Sequence, residues 1–163
     1  MSEDSGTAPI RRHARGVLYG GLIAGTLDIG AACLINGRGP KIILQAIASG
    51  VLGKASFRMG LPAAALGLVL QWVMSVLIAA IFAVASSRLP VVRRSWIASG
   101  LAYGVVIFFV MNYVVVPLSA AGFSSKFSTA KFMENMLAMI LFGLIVAFFG
   151  RPFSGRAPGE VNR

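Results

Sequence analysis

The chain has 163 residues, 57% of them hydrophobic and only 12% charged, with a mean hydropathy of +0.82, against roughly 25% charged residues in an ordinary soluble domain. That balance excludes a soluble single-core protein. Fifteen Lys and Arg against five Asp and Glu leave a formal charge of +10, which as a total suits a polyanion partner, but its distribution does not.

The cations fall in short clusters at 11–15, 38–41, 54–58, 88–94, 126–131 and 151–163, and the intervening apolar runs are long enough to cross a bilayer. No segment outside those runs is large enough for a folded basic domain with stacking aromatics, so nucleic acid is not an expected partner. The expectation is an all-α, polytopic membrane protein with four transmembrane helices. An amphipathic interfacial helix is expected between the first and second.

In chain order, residues 1–16 read as a flexible basic tail of small polar residues leading into Arg11, Arg12 and Arg15. The membrane domain covers 17–150, and its first span runs from about 17 to 36, just enough to cross a core of roughly 30 Å. A basic cluster before an apolar run also resembles a signal peptide. Asp28 interrupts the run, however, and Gly30 stands where a lipoprotein box ahead of Cys33 wants a branched apolar residue. The segment therefore reads as an uncleaved span.

From about 40 to 58, Pro40 opens a stretch in which Lys41, Gln45 and Ser49 recur every four residues, extended by Lys54, Ser56 and Arg58. Ile43, Leu44, Ile47, Val51 and Leu52 make the other side, the pattern of a helix lying in the membrane interface. The second span follows at about 62–85, with Pro62 in its first turn where a missing amide costs nothing. A basic turn, Arg88 to Arg94 around Pro90, leads to the interfacial Trp96 and a third span to about 116, which Pro117 stops. After a serine-containing loop at 123–127, Ser128 is the expected N-cap of the fourth span, about 129–149. Residues 151–163 read as a disordered C-terminal tail.

Four spans put both termini on one side. With the N-terminus inside, nine cations (Arg11, Arg12, Arg15, Arg88, Arg93, Arg94, Arg151, Arg156, Arg163) face the cytoplasm and six (Arg38, Lys41, Lys54, Arg58, Lys126, Lys131) face out. The positive-inside rule then expects cytoplasmic N- and C-termini. The basic clusters themselves are expected to serve topology and contacts to anionic lipid headgroups.

Asp28 lies about twelve residues into the first span, where an acid is costly and marks a functional hypothesis. Gln71 and Asn112 fall at similar depth, with Glu134 and Asn135 in the first turns of the fourth span. Those five residues form one candidate intramembrane polar site, open to the outer side. The competing structural reading makes Asp28, Gln71 and Asn112 interhelical glue, each bond worth on the order of 1 kcal/mol. Glu134 is also explained by its place near a helix N-terminus, one turn from Lys131. Gly16 with Gly20, Gly21 with Gly25, and Gly100 with Gly104 place small residues four apart. They predict close packing of spans one and three, with self-association as the alternative.

With one histidine, His13, and one cysteine, Cys33, the chain offers no embedded histidine pair for haem, no Cys/His set for zinc and no Ser/His pair within a span. No cofactor, metal or catalytic residue is expected, and the chain is not expected to be an enzyme.

The segments Gly20-Gly21-Leu-Ile-Ala-Gly25-Thr26-Leu27-Asp28, Leu44-Gln45-Ala-Ile-Ala-Ser49-Gly50-Val-Leu-Gly53, Ala65-Leu66-Gly67-Leu68, Tyr103-Gly104-Val and Val110-Met111-Asn112-Tyr-Val-Val-Val-Pro117-Leu118-Ser119 resemble a group of small four-helix bacterial inner-membrane proteins of undefined activity. The resemblance spans about residues 16–150. It implies the bacterial inner membrane, four spans with the amphipathic insert after the first, and no reaction. It singles out Asp28, Gln45, Asn112 and Pro117 for testing.

Three functional expectations follow. The first is a non-enzymatic accessory or structural component that binds membrane partners, in a complex or as a homo-oligomer, or binds lipid. The second is a small transporter or channel using Asp28 as an intramembrane proton- or cation-binding site, similar only in layout to four-helix multidrug transporters that place an acid in the first helix. The third, a lipid-acting membrane enzyme with Asp28 or Glu134 as acid or base, has the least support.

Overall fold

A computed structural model of the protein describes residues 7–89, 92, 94–121 and 129–150. Every regular element among them is helical: α1 (Thr7–Asn36), α2 (Pro40–Leu52) running into a 3-10 turn (Gly53–Phe57), α3 (Leu61–Arg88), α4 (Trp96–Val110) and α5 (Thr129–Gly150). A π-helical segment, Met111–Val115, and a last α-turn, Val116–Leu118, prolong α4. Four segments have the length and apolarity of membrane spans: Ala14–Asn36, Leu61–Arg88, Trp96–Leu118 and Thr129–Gly150, with mean hydropathy from 1.6 to 2.4. The fold is that of an all-α, multi-pass membrane protein.

The helix boundaries follow local chemistry. α1 begins at Thr7, earlier than the expected tail would allow, with Pro9 in its first turn, where a missing amide costs nothing. It ends in a Schellman arrangement: the Arg38 amide donates to the Cys33 carbonyl at 3.1 Å and the Gly37 amide to Leu34 at 3.3 Å. This requires Gly37 at a φ of +58°. Pro40 and Pro62 occupy first turns of α2 and α3, and the Ser95 hydroxyl accepts from the Ala98 amide to cap α4. The expected Ser128 cap, the 123–127 loop, Pro90, Arg93, and tail residues 1–6 and 151–163 lie outside the described residues, as do the side chains of Arg11, Arg12 and His13.

α5 is the hub of the bundle. It packs along α4 and along α1, while α3 lies against α1 and α2. Ala24, Ala79, Phe82, Phe142, Val146 and Ala147 form a buried cluster from α1, α3 and α5, with Tyr103 and Trp96 of α4 packed against it. Outward faces stay apolar and uncovered, with Leu34 at 86% and Leu118 at 82% exposure. Hydrocarbon rather than water is the solvent such a surface fits.

The glycines correct one expectation. Spans one and three do not form the close pair read from the sequence; both approach α5. A Cβ on Gly16 or Gly20 would come within 2.8 Å of the Phe149 carbonyl oxygen or 2.7 Å of Phe149 Cβ, both on α5. Gly21 and Gly25 face α3 at Val76 and Ser75. Gly100 and Gly104 face α5, where a Cβ on Gly104 would lie 2.5 Å from the Met139 carbonyl oxygen and 2.6 Å from Ile140 Cα, and Gly143 of α5 returns the same close approach. Small residues let backbones meet, but do not name the partner.

α2 also departs from expectation in which side it buries. Gln45, Ser49 and Ser56, read on the polar side of this stretch, are buried, as is Ile43 of the apolar side, whereas Val51 is exposed. Gly67 of α3 admits the Leu44 backbone so closely that any Cβ there would collide with its carbonyl. The Gln45 side-chain amide donates to the Ser56 carbonyl at 3.3 Å and the Gly60 carbonyl at 3.1 Å. It thereby satisfies backbone oxygens of the 3-10 turn and the approach to α3. At the other end the Ala120 amide, just beyond the third span, donates to the Gly50 carbonyl at 2.9 Å. Lys41, Lys54 and Arg58 remain exposed.

Candidate functional site

Asp28 and Gln71 meet in the bundle, where Gln71 Nε2 donates to Asp28 Oδ2 at 2.8 Å. The approach is possible because Gly25, one turn before Asp28, accepts the buried Ser75 of α3 directly against its Cα. Ser75 Oγ donates in turn to the Gln71 carbonyl at 2.7 Å, so its own hydroxyl is satisfied within α3. Two helices thus share one carboxylate–amide bond at mid-span.

Beside the pair is a small cavity of about 30 Å³, enough for a water or a few. Asp28, Gln71 and Ser75 supply its polar wall. Met74 and Ile78 of α3, Ile107 of α4, Met111 of the π segment, and Met139 and Phe142 of α5 supply the rest. All four spans therefore contribute to it.

Of the five residues expected to share one polar site, only Asp28 and Gln71 line this cavity. Asn112 turns back on its own helix, its Nδ2 donating to the Phe108 carbonyl at 2.8 Å. Glu134 is exposed, and Asn135 Nδ2 donates to the Lys131 carbonyl at 2.7 Å. The π segment accounts for the displacement of Asn112. Pro117 has no amide to give, its ring crowds the carbonyl four residues back, and the helix widens ahead of it. Met111 takes the wall position instead.

Two polar contacts between spans were not anticipated. Trp72 Nε1 donates to Thr26 Oγ1 at 3.2 Å on the outward side of the α1–α3 seam, and that hydroxyl donates to the Leu22 carbonyl at 2.7 Å. Tyr103 Oη donates to the Ile78 carbonyl at 2.7 Å, while its ring sits 5.1 Å from that of Phe82. Both follow from one rule: an indole N–H or phenol O–H in hydrocarbon needs an acceptor, and only another helix or its own backbone offers one. The signal was the presence of Trp72 and Tyr103 within apolar runs; the acceptors had none. Among the described residues no group of three or more His, Cys, Asp or Glu gathers to hold a metal.

The chain matches no protein-family model, no curated protein and no solved structure.

Proposed function

We propose that this is a non-enzymatic component of the bacterial inner membrane, with both termini cytoplasmic, that works by binding membrane partners or lipid through its outer surface. The carrying observation is the outer surface: the outward faces of the spans are apolar and uncovered, with Leu34 and Leu118 almost fully exposed, while the cavity beside Asp28 is small, about 30 Å³. Exposed Lys41, Lys54 and Arg58 around α2 fit a contact with anionic headgroups at the outer interface. The excess of cations in the segments assigned to the cytoplasm supports the orientation.

A second reading is favoured by one specific observation, the placement of Asp28 on the wall of a cavity shared by all four spans. In it Asp28 binds a proton or a small cation during transport. Purification from native membranes in mild detergent, followed by native mass spectrometry and proteoliposome flux, separates the two. The first reading expects a stoichiometric larger assembly or retained lipid, unchanged in Asp28→Asn, and no flux. A bare monomer carrying a flux that Asp28→Asn abolishes would overturn it in favour of the second.

A further inference from the structure

The cavity walls carry a composition that neither a proton site nor simple packing requires. Met74 comes from α3, Met111 from the π segment of the third span and Met139 from α5, and all three line a space bounded on its fourth side by Asp28 of α1. The chain has seven methionines, and three of them, each half-buried, line one small cavity between the four spans. Asp28 Oδ2 accepts from Gln71, while Oδ1 has no hydrogen-bond partner among the described residues.

Each property of the space selects the same kind of occupant. The space, about 30 Å³, holds a few waters at most, so an ion bound there keeps only part of its hydration shell and side chains replace the rest. One carboxylate with no Lys or Arg on the wall is neutralised by a single positive charge, whereas a divalent ion would leave an uncompensated charge in hydrocarbon. Thioether sulfur is a soft ligand that favours Cu(I) over the hard alkali cations, which prefer oxygen and water. We infer that the Met74–Met111–Met139 cavity is a binding site for a soft monovalent cation of the Cu(I) type, with the three thioethers as ligands and Asp28 as the balancing charge. The inference rests on the second functional reading, in which Asp28 serves as a cation site, and names the ion.

The test uses the full chain in nanodiscs under anaerobic conditions, with Cu(I) titrated against a chromophoric Cu(I) chelator and Ag(I) as a redox-inert substitute. One equivalent is expected to bind, with sulfur scatterers at the copper X-ray absorption edge. Met→Leu preserves volume and folding, so Met74→Leu, Met111→Leu and Met139→Leu are each expected to weaken binding at least about tenfold, the lower range seen for residues one layer outside a metal's ligands. The triple variant is expected to lose binding with an unchanged melting temperature. Met59→Leu and Met133→Leu, at exposed positions, are expected to bind as the parent does. Absence of Cu(I) and Ag(I) binding, or binding that survives the triple substitution, overturns the site. If a proton or alkali-cation flux sensitive to Asp28→Asn persists in that case, the cation-site reading of Asp28 stands without its metal; if no flux is found either, both fall.

Discussion

Gly67→Ala offers the most direct challenge to the docking of α2 on α3. The added Cβ would strike the Leu44 carbonyl oxygen and lie 2.7 Å from its carbon and 3.1 Å from Leu44 Cα, where carbon atoms ordinarily rest about 3.5–4.0 Å apart. The obstacle is backbone in the middle of a helix, so no side-chain rotation relieves it and α2 must withdraw by about 1 Å. A radial gap of that size forfeits up to about half of the contact energy along the seam, and overpacking of this kind costs about 1–3 kcal/mol. The two bonds from Gln45 to the Ser56 and Gly60 carbonyls stretch at the same time, at about 1 kcal/mol each. A total near 3 kcal/mol means roughly a hundredfold more frequent opening of α2. Hydrogen–deuterium exchange of the full chain in nanodiscs reads this as faster exchange over residues 41–57. The control is Gly30→Ala on α1, where nothing lies within 4 Å and helix propensity alone makes the change neutral or stabilising by up to about 1 kcal/mol. Unchanged exchange over 41–57 in Gly67→Ala, or equal acceleration in Gly30→Ala, would refute the tight α2–α3 crossing.

Gly104→Ala is expected to destabilise the α4–α5 seam by about 1–3 kcal/mol, since its Cβ meets the Met139 and Ile140 backbone; SDS titration of the reconstituted protein measures this as an earlier unfolding midpoint. Tyr103→Phe removes the bond to the Ile78 carbonyl while keeping the ring contact with Phe82. It is expected to cost about 0.6–1.7 kcal/mol in the same assay, and a loss above about 3 kcal/mol would show that the hydroxyl does more than join two spans.

The spans were legible because each depends on local composition: a bilayer asks for a long apolar run, and Pro62, Trp96 and Pro117 punctuate those runs near their ends. The α2 helix was legible from its four-residue period. Its orientation was not, because the pattern grouped Lys41 with Gln45 and Ser49 as polar, whereas the protein separates charge from hydrogen-bonding capacity. Lys41 stays outside while Gln45 supplies donors to buried carbonyls. Asp28 and Gln71 were matched by depth, and depth sufficed because α1 and α3 are regular there. Depth failed for Asn112, since widening of the helix at 111–115 changes which residue faces inward. The glycine pairs marked faces that admit a neighbour, and the choice of α5 as that neighbour depends on contacts distant in sequence.

The position of α5 at the hub sets an order for assembly. Helices enter the bilayer singly and associate afterwards, yet α1 and α4 both close against a helix made after them. The stretch from Ser119 to Gly150 takes roughly 2–6 s to synthesise at about 5–20 residues per second. Through that interval the glycine faces at 16–20 and 100–104 lie against lipid, and side-to-side pairing of α1 and α4 meets no competitor. The fourth span therefore acts as a keystone: until it arrives, α1 and α4 lack the neighbour that their glycine faces fit.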